Sequence, residues 1–189
     1  MSTHTIVALV ENRPGVLNRI ASKWRQRGFN IESLAVGHSE VPGLSRMTFT
    51  VDGTTTDVDQ VAKQMYKIVE VVKVSDLTEH EIVHRELALV KIVATPKERT
   101  AIIEIVGIFR AKIVDVSGES MIVEVTGTED KVDAFIEMLT PYGIKELVRT
   151  GRIAMSRGAG TPMAVDGAKG EEHRYRPAGE GKPKVGSLI

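Results

Sequence analysis

Short apolar runs and helix-like apolar periodicity alternate along this chain in a fixed order, and the order is written twice. Residues 5–10 read as a short buried strand. From there to Arg27 the side chains Leu17, Ile20, Ala21 and Trp24 recur at i, i+3, i+4 and i+7, which is one face of a helix. Gly28 is a natural stop. Two strand-like runs follow, 31–36 and 46–51, joined by a turn around Val41, Pro42 and Gly43. A second helix is expected from Asp57, with Gln60 completing a capping box and Val58, Val61, Ala62, Met65, Ile68 and Val69 as its buried face. Residues 71–77 supply a fourth strand, and the order is β-α-β-β-α-β.

The second half repeats it. Residues 87–94 read as a strand, and Thr95-Pro96-Lys97-Glu98 as a capping box with proline at the first helical position. Ile102, Ile105, Val106 and Phe109 form the next helix face. Strands at 113–116 and 121–125 flank a turn at Ser117 and Gly118. Val132, Phe135, Ile136 and Leu139 form the last helix face, ended by Tyr142 and Gly143, and residues 144–155 contain the closing strand. Two halves of about 75 residues with one element order predict an α+β chain of tandem domains of the split β-α-β kind. The expected domains are 3–79 and 80–157, with a flexible tail at 158–189, where Gly, Pro and charge replace apolar periodicity. A docking segment at Tyr175 or at Leu188 and Ile189 is the alternative to a tail without a role.

Composition narrows the function classes. Lys and Arg balance Asp and Glu at 25 each, so no global field favours nucleic acid or an anionic membrane. No apolar run approaches the roughly 20 residues of a membrane span, and the N-terminus lacks the pattern of a signal peptide. Cysteine is absent, which excludes disulfides, thiolate nucleophiles and cysteine-ligated zinc and fits a cytoplasmic protein. The sequence has no G-x-S-x-G elbow, no Walker loop and no G-x-G-x-x-G after a strand. No catalytic residue is assigned. Asp57 and Asp59 look paired but stand where a helix begins, which makes capping their expected job. Trp24 falls on a buried helix face. Ser156, Arg157 and Gly158 read either as an anion-binding backbone or as a strand exit.

His80-Glu81-Ile82-Val83-His84 matches H-E-x-x-H. That chemistry needs a helix to stack the two imidazoles one turn apart. Here the segment links two β-rich runs, and in an extended chain the histidines would stand roughly 13 Å apart. It is read as the linker between the halves, with no metal site.

The junction at residues 11–20 carries the functional signal. A strand, then Asn12, Pro14 and Gly15, lead into a helix whose first-turn amides have no intrahelical partner and whose dipole favours a small anion such as a carboxylate. Gly15 removes the side chain that would keep a ligand off the backbone, Pro14 suits the first helical turn, and Asn12 offers a donor and an acceptor. The same residues also fit an ordinary helix start. Asn30 and Ile31 open the second strand, an expected sheet edge with neither Lys nor Pro from 30 to 37 to protect it. A helix of about 20 Å separates Asn12 from Asn30 in one chain. Two copies paired edge to edge about a two-fold axis would bring Asn30 of one toward Asn12 of the other, around a small zwitterion. Val16, Leu17 and Ile31 would suit an aliphatic side chain, with Val, Leu and Ile separated by only about 1–3 kcal/mol per methylene.

Several motifs resemble one family. They are Glu11-Asn12-Arg13-Pro14-Gly15-Val16-Leu17, Arg27-Gly28-Phe29-Asn30-Ile31-Glu32-Ser33-Leu34, Leu44-Ser45-Arg46-Met47-Thr48, Arg85-Glu86-Leu87-Ala88-Leu89-Val90-Lys91-Ile92 and Ile108-Phe109-Arg110-Ala111-Lys112-Ile113-Val114-Asp115-Val116. From about residue 3 to Arg157 the chain resembles the regulatory (small) subunit of acetolactate synthase, also called acetohydroxyacid synthase. The first two motifs are shared with other amino-acid-sensing ACT domains, and the last is more particular to this subunit. The resemblance implies two tandem ferredoxin-like domains, the first an ACT domain, a homodimer through the ACT domains, and valine as feedback inhibitor at their interface. It implies a catalytic large subunit as partner, whose cofactors are thiamine diphosphate, magnesium and FAD, with none in this chain. By motif, valine contacts fall on Asn12, Gly15, Val16 and Leu17 from one side and on Asn30 and Ile31 from the other. Thr95-Pro96-Lys97-Glu98 departs from the pattern, and no ligand contact is carried into the second half.

Two other readings compete. A stand-alone ACT sensor could control another enzyme or a transcription factor. An RNA-binding module of this topology would need exposed aromatics on its central strands, where only Phe49 is available.

Overall fold

The structure, a computed structural model, describes residues 3–53, 58–159 and 163. The first unit comprises β1 (Thr3–Glu11), α1 (Val16–Gln26), β2 (Ser33–His38), β3 (Leu44–Asp52), α2 (Val58–Met65) and β4 (Val71–Asp76). The second comprises β5 (Ile82–Val93), α3 (Arg99–Ile108), β6 (Lys112–Val116), β7 (Ser120–Gly127), α4 (Glu129–Leu139), a 3-10 turn (Thr140–Tyr142) and β8 (Ile144–Arg149). The strand orders, β2-β3-β1-β4 and β6-β7-β5-β8, are the same path traced twice, and every described pairing is antiparallel. Even a bulge recurs, between Leu9 and Val10 where β1 meets β4 and between Lys91 and Ile92 where β5 meets β8. The α+β architecture of two βαββαβ units is as the periodicity predicts.

Each sheet packs its helices on one face. Ile6, Ala8 and Val10 of β1 join Val16, Ile20 and Trp24 of α1 and Val61 and Met65 of α2 in one core, where Trp24 and Phe49 stack with centroids 4.7 Å apart. Ala88, Val90 and Ile92 of β5 join Ile102, Val132 and Phe135 in the other. The first sheet is also covered on its open face. Val7 and Leu9 pack there against Leu77, Ala154 and Met163. Phe49 is fully buried toward the helices, so the central strands present no aromatic platform of the kind RNA-binding modules use.

Several boundaries differ from the sequence reading. The first helix begins at Val16, not at Pro14, because Pro14 and Gly15 are the central residues of a turn closed by Val16 N–H to Arg13 O at 3.5 Å. Its buried row is Val16, Ile20 and Trp24, which leaves Leu17, one residue round the helix, 41 % exposed. Gly28 does stop α1: its N–H reaches Arg25 O and that of Phe29 reaches Trp24 O, the paired closure of a Schellman motif. The chain then tucks Phe29 and Ile31 against the core, so β2 starts at Ser33 rather than at residue 31. The second helix ends at Met65, and a turn held by Ile68 buries Ile68 while turning Val69 to 93 % exposure. Asp57 of the expected capping box lies outside the described residues, as do Tyr175, Leu188, Ile189 and most of the expected tail. The box at Thr95 sits one turn before α3, which starts at Arg99.

The expected linker is a strand for most of its length. β5 starts at Ile82, and its residues 82–85 pair with an unforeseen strand, β9 (Ile153–Ser156). His80 closes a turn onto Leu77 O, and His84 lies on β5 opposite Ala154. The H-E-x-x-H residues therefore occupy a turn and a strand, not the helix that zinc chemistry requires. Arg157, just past β9, uses its N–H on Glu81 O and its guanidinium on Ile82 O, which favours the strand-exit reading.

These placements have measurable consequences. Ile68→Ala is expected to cost about 2–5 kcal/mol and Val69→Ser less than about 0.5 kcal/mol, by urea denaturation. Burial lowers the pKa of His84 below its ordinary value, Arg152 and Arg85 lower it further, and Glu129 and Asp130 oppose them. The folded chain therefore resists a proton that the unfolded chain accepts, so the His84 contribution is intact above about pH 6.5 and is lost as pH falls. His84→Gln should flatten the fall in thermal midpoint between about pH 7 and about pH 5.

Candidate functional site

The junction between β1 and α1 is a helix tip capped only by backbone. At the end of β1, Glu11 N–H is held by Glu70 O at 2.9 Å and Asn12 N–H by Gly43 O at 2.8 Å, which fixes where the chain leaves the sheet. Gly15 then takes φ +86° and ψ −11°, a left-handed conformation that side-chain-bearing residues adopt only with strain. A Cβ at Gly15 would meet nothing within 4 Å, so conformation rather than space selects glycine. No side chain caps α1, and no acidic residue lies in its first turn, while Lys23 and Arg25 stand in its last. The amides of Leu17 and Asn18 belong to the first turn and have no intrahelical acceptor. Dipole and donors together offer a carboxylate-sized anion a docking point. Val16, 3 % exposed, floors the tip, and half-exposed Leu17 stands beside it.

The structure gathers Asn12, Gly15, Val16 and Leu17 at this tip. Asn30 and Ile31 lie past the other end of α1, which spans about 16 Å, so one chain does not bring the two groups together. Asn30 Nδ2 donates to Glu32 Oε1 at 2.5 Å on the surface, and Ile31 is half-buried against the core. Both lead into β2, which is an outer strand of its sheet.

Sequence reasoning missed His38. Its Nδ1 lies 3.4 Å from Asn12 Nδ2, because the hairpin of β2 and β3 returns residues 38–44 to the end of β1. The antiparallel pairing of the 46–51 run with the first strand, together with the turn at Pro42 and Gly43, is the signal that could have found it.

The equivalent tip in the second half is differently built. Glu98 folds back so that its carboxylate accepts the Thr95 N–H at 3.1 Å and the Thr95 hydroxyl at 2.7 Å. That tip carries its own anion. Two cavities lie in the seam between the units, one of about 380 Å³ lined by Val36, His38, Arg46, Val83, Ile153 and Met155, the other of about 370 Å³ lined by Glu32, Ser33, Glu86, Arg149, Gly151 and Arg152. Neither is lined by Asn12, Gly15 or Leu17. Among the described residues no group of three or more His, Asp or Glu side chains is placed to hold a metal ion, and no helix is long and apolar enough to cross a membrane.

Comparison with known proteins places both halves. The family described as "AHAS small subunit-like ACT domain" matches residues 6–73, and that described as "Small subunit of acetolactate synthase" matches residues 85–158. The probable acetolactate synthase small subunit of Archaeoglobus fulgidus is 57 % identical over 155 residues, 82 % of this chain and 97 % of that one. The acetolactate synthase small subunit of Bacillus subtilis is 52 % identical over 155 residues, 81 % of this chain and 90 % of that one. The crystal structure of the acetolactate synthase small subunit from Thermotoga maritima superposes with a TM-score of 0.77 at 45 % identity, covering 84 % of this chain and 99 % of that one. With the βαββαβ unit, the backbone-capped tip and these matches in hand, the chain belongs to the family of acetolactate synthase small subunits, the regulatory partners of the catalytic large subunit, and its first half is an ACT domain.

Proposed function

We propose that this chain confers feedback inhibition by valine on acetolactate synthase, activates its catalytic subunit, and binds the amino acid between two copies of the ACT domain. The observation that carries the reading is the tip at Gly15, with its left-handed backbone, no side-chain cap and no acid in the first turn of α1. The ligand carboxylate would dock on the first-turn amides beside Asn12, and its side chain on Val16 and Leu17. Asn30 and Ile31 of the second copy would close the site, reached by antiparallel pairing of two β2 edges about a two-fold axis. A ligand held by both copies favours the arrangement in which both contribute, which couples binding to subunit packing. Thiamine diphosphate, magnesium and FAD would belong to the catalytic partner. The working division of the chain is 3–79, 80–157 and 158–189, with the change of unit at the turn between Leu77 and His80. A stand-alone sensor of another enzyme is disfavoured because the match to the small subunit extends through the second half.

Calorimetry on the chain should give heat with L-valine at micromolar to millimolar concentration. Leucine and isoleucine should bind within the range of about 1–3 kcal/mol that one methylene sets. Gly15→Asp should abolish the heat and the inhibition, since it strains the left-handed backbone and puts a carboxylate in the ligand's own anion site. Asn30→Ala should weaken valine binding about tenfold while leaving the thermal midpoint in place, consistent with loss of a hydrogen bond of about 1 kcal/mol or more. Retained inhibition in Gly15→Asp would contradict the assigned site.

A further inference from the structure

Two residues beyond Ile31 the second unit takes hold of β2. Ser33, the first residue of β2, lies with Oγ 2.6 Å from Thr50 Oγ1, and the backbone N–H of Arg152 donates to that Ser33 oxygen at 3.4 Å. Gly151 stands directly against it. At φ +76°, a Cβ on Gly151 would come 3.1 Å from Ser33 Cβ, 3.3 Å from its Oγ and 3.5 Å from Leu34 N, so a side chain there would strain the backbone and press on Ser33. The Arg152 side chain, 15 % exposed, donates through Nη1 to Thr5 Oγ1 of β1 at 3.0 Å and ion-pairs through Nη2 with Glu129, the first residue of α4. One turn, residues 150–152, thus touches β1, β2 and α4 at once.

The base of the turn is fixed. Arg149 makes paired hydrogen bonds to both carboxylate oxygens of the buried Glu86, at 2.6 and 2.7 Å, and a further one to Asp133 of α4 at 2.7 Å. Such paired contacts define geometry as well as charge. Thr150 adds a tie to the Leu87 N–H at 3.1 Å.

We infer that the 150–152 turn is a relay, with Arg152 as the positioning residue that passes the ligand state of the Asn30 and Ile31 segment to α4 of the second unit. The inference rests on the valine-site reading above and adds to it the route by which an occupied site is felt elsewhere in the chain. A ligand that draws Asn30 and Ile31 toward a neighbouring copy moves Ser33. The hydrogen bond from Arg152 N–H to Ser33 Oγ joins that movement to the turn, and Arg152 carries the displacement to Glu129. By linkage, whatever holds α4 in one position changes valine affinity by the same factor.

The test uses the full chain and L-valine, with calorimetry for binding and hydrogen exchange of the amides of residues 129–139 for the relay. In the unsubstituted chain valine should bind and change exchange in α4. Arg152→Gln should still bind valine and lose the α4 response. The exchanged pair Arg152→Glu with Glu129→Arg should recover it, which ties the response to the 152–129 pair and not to either residue alone. Where Arg152→Gln does not fold, Glu129→Gln at a half-exposed position carries the same test. An α4 response that persists in Arg152→Gln, valine binding lost in a folded Arg152→Gln, or no recovery in the exchanged pair overturns the relay. Valine binding without an α4 response in the unsubstituted chain also overturns it while sparing the site, whereas no valine binding at all in that chain removes the site itself.

Discussion

Six consecutive residues of β1, 5–10, are at or below 1 % exposure, and both faces of that strand are in use. Ile6, Ala8 and Val10 hold the two helices of the ACT domain, while Val7 and Leu9 hold Leu77, Ala154 and Met163. Each of the Ile, Val and Leu side chains contributes about 1.5–3 kcal/mol by leaving water. A strand so placed cannot slip by one residue without exchanging one core for the other. Its register therefore fixes the point where Glu11 and Asn12 leave the sheet, and with it the position of the tip at Gly15. The same strand receives Arg152 on Thr5, so the end that leads to the Gly15 tip and the end that meets the second unit belong to one strand.

The order of elements was legible because apolar period alone distinguishes strand from helix, and two halves that agree reinforce each other. The outer placement of β2 followed from topology. Errors arose where a neighbour, not the local pattern, decides the outcome. Leu17 fits a helical face by spacing, yet the sheet selects the Val16, Ile20 and Trp24 row. Val69 continues the α2 pattern past the point where the turn at Ile68 ends the helix. β9 was invisible because four residues, 153–156, carry no signal until residues 82–85 lie beside them. Of the proposed site, Asn12 and Gly15 are suggested by local chemistry alone. His38 could not be read that way, since its approach to Asn12 depends on a hairpin closing 26 residues later in the chain.

The duplication sets two differently built helix tips on the same scaffold. Both units thread the same strand order and place a helix tip after their first strand. In the second, Glu98, immediately before α3, folds its own carboxylate onto Thr95. In the first, Gly15 contributes no side chain, and the first turn of α1 holds no acid. A tip that supplies its own anion is stable without a ligand and gains nothing from one. On the proposed function, a tip without an anion would exchange its state with the concentration of a small carboxylate. The second half is thereby left to act as a body that can be positioned. It meets the first both where Ala154 and Met163 pack on Val7 and Leu9 and where Gly151 meets Ser33 and Arg152 joins Thr5 to Glu129, the latter next to the segment that would complete the proposed site in a neighbouring copy.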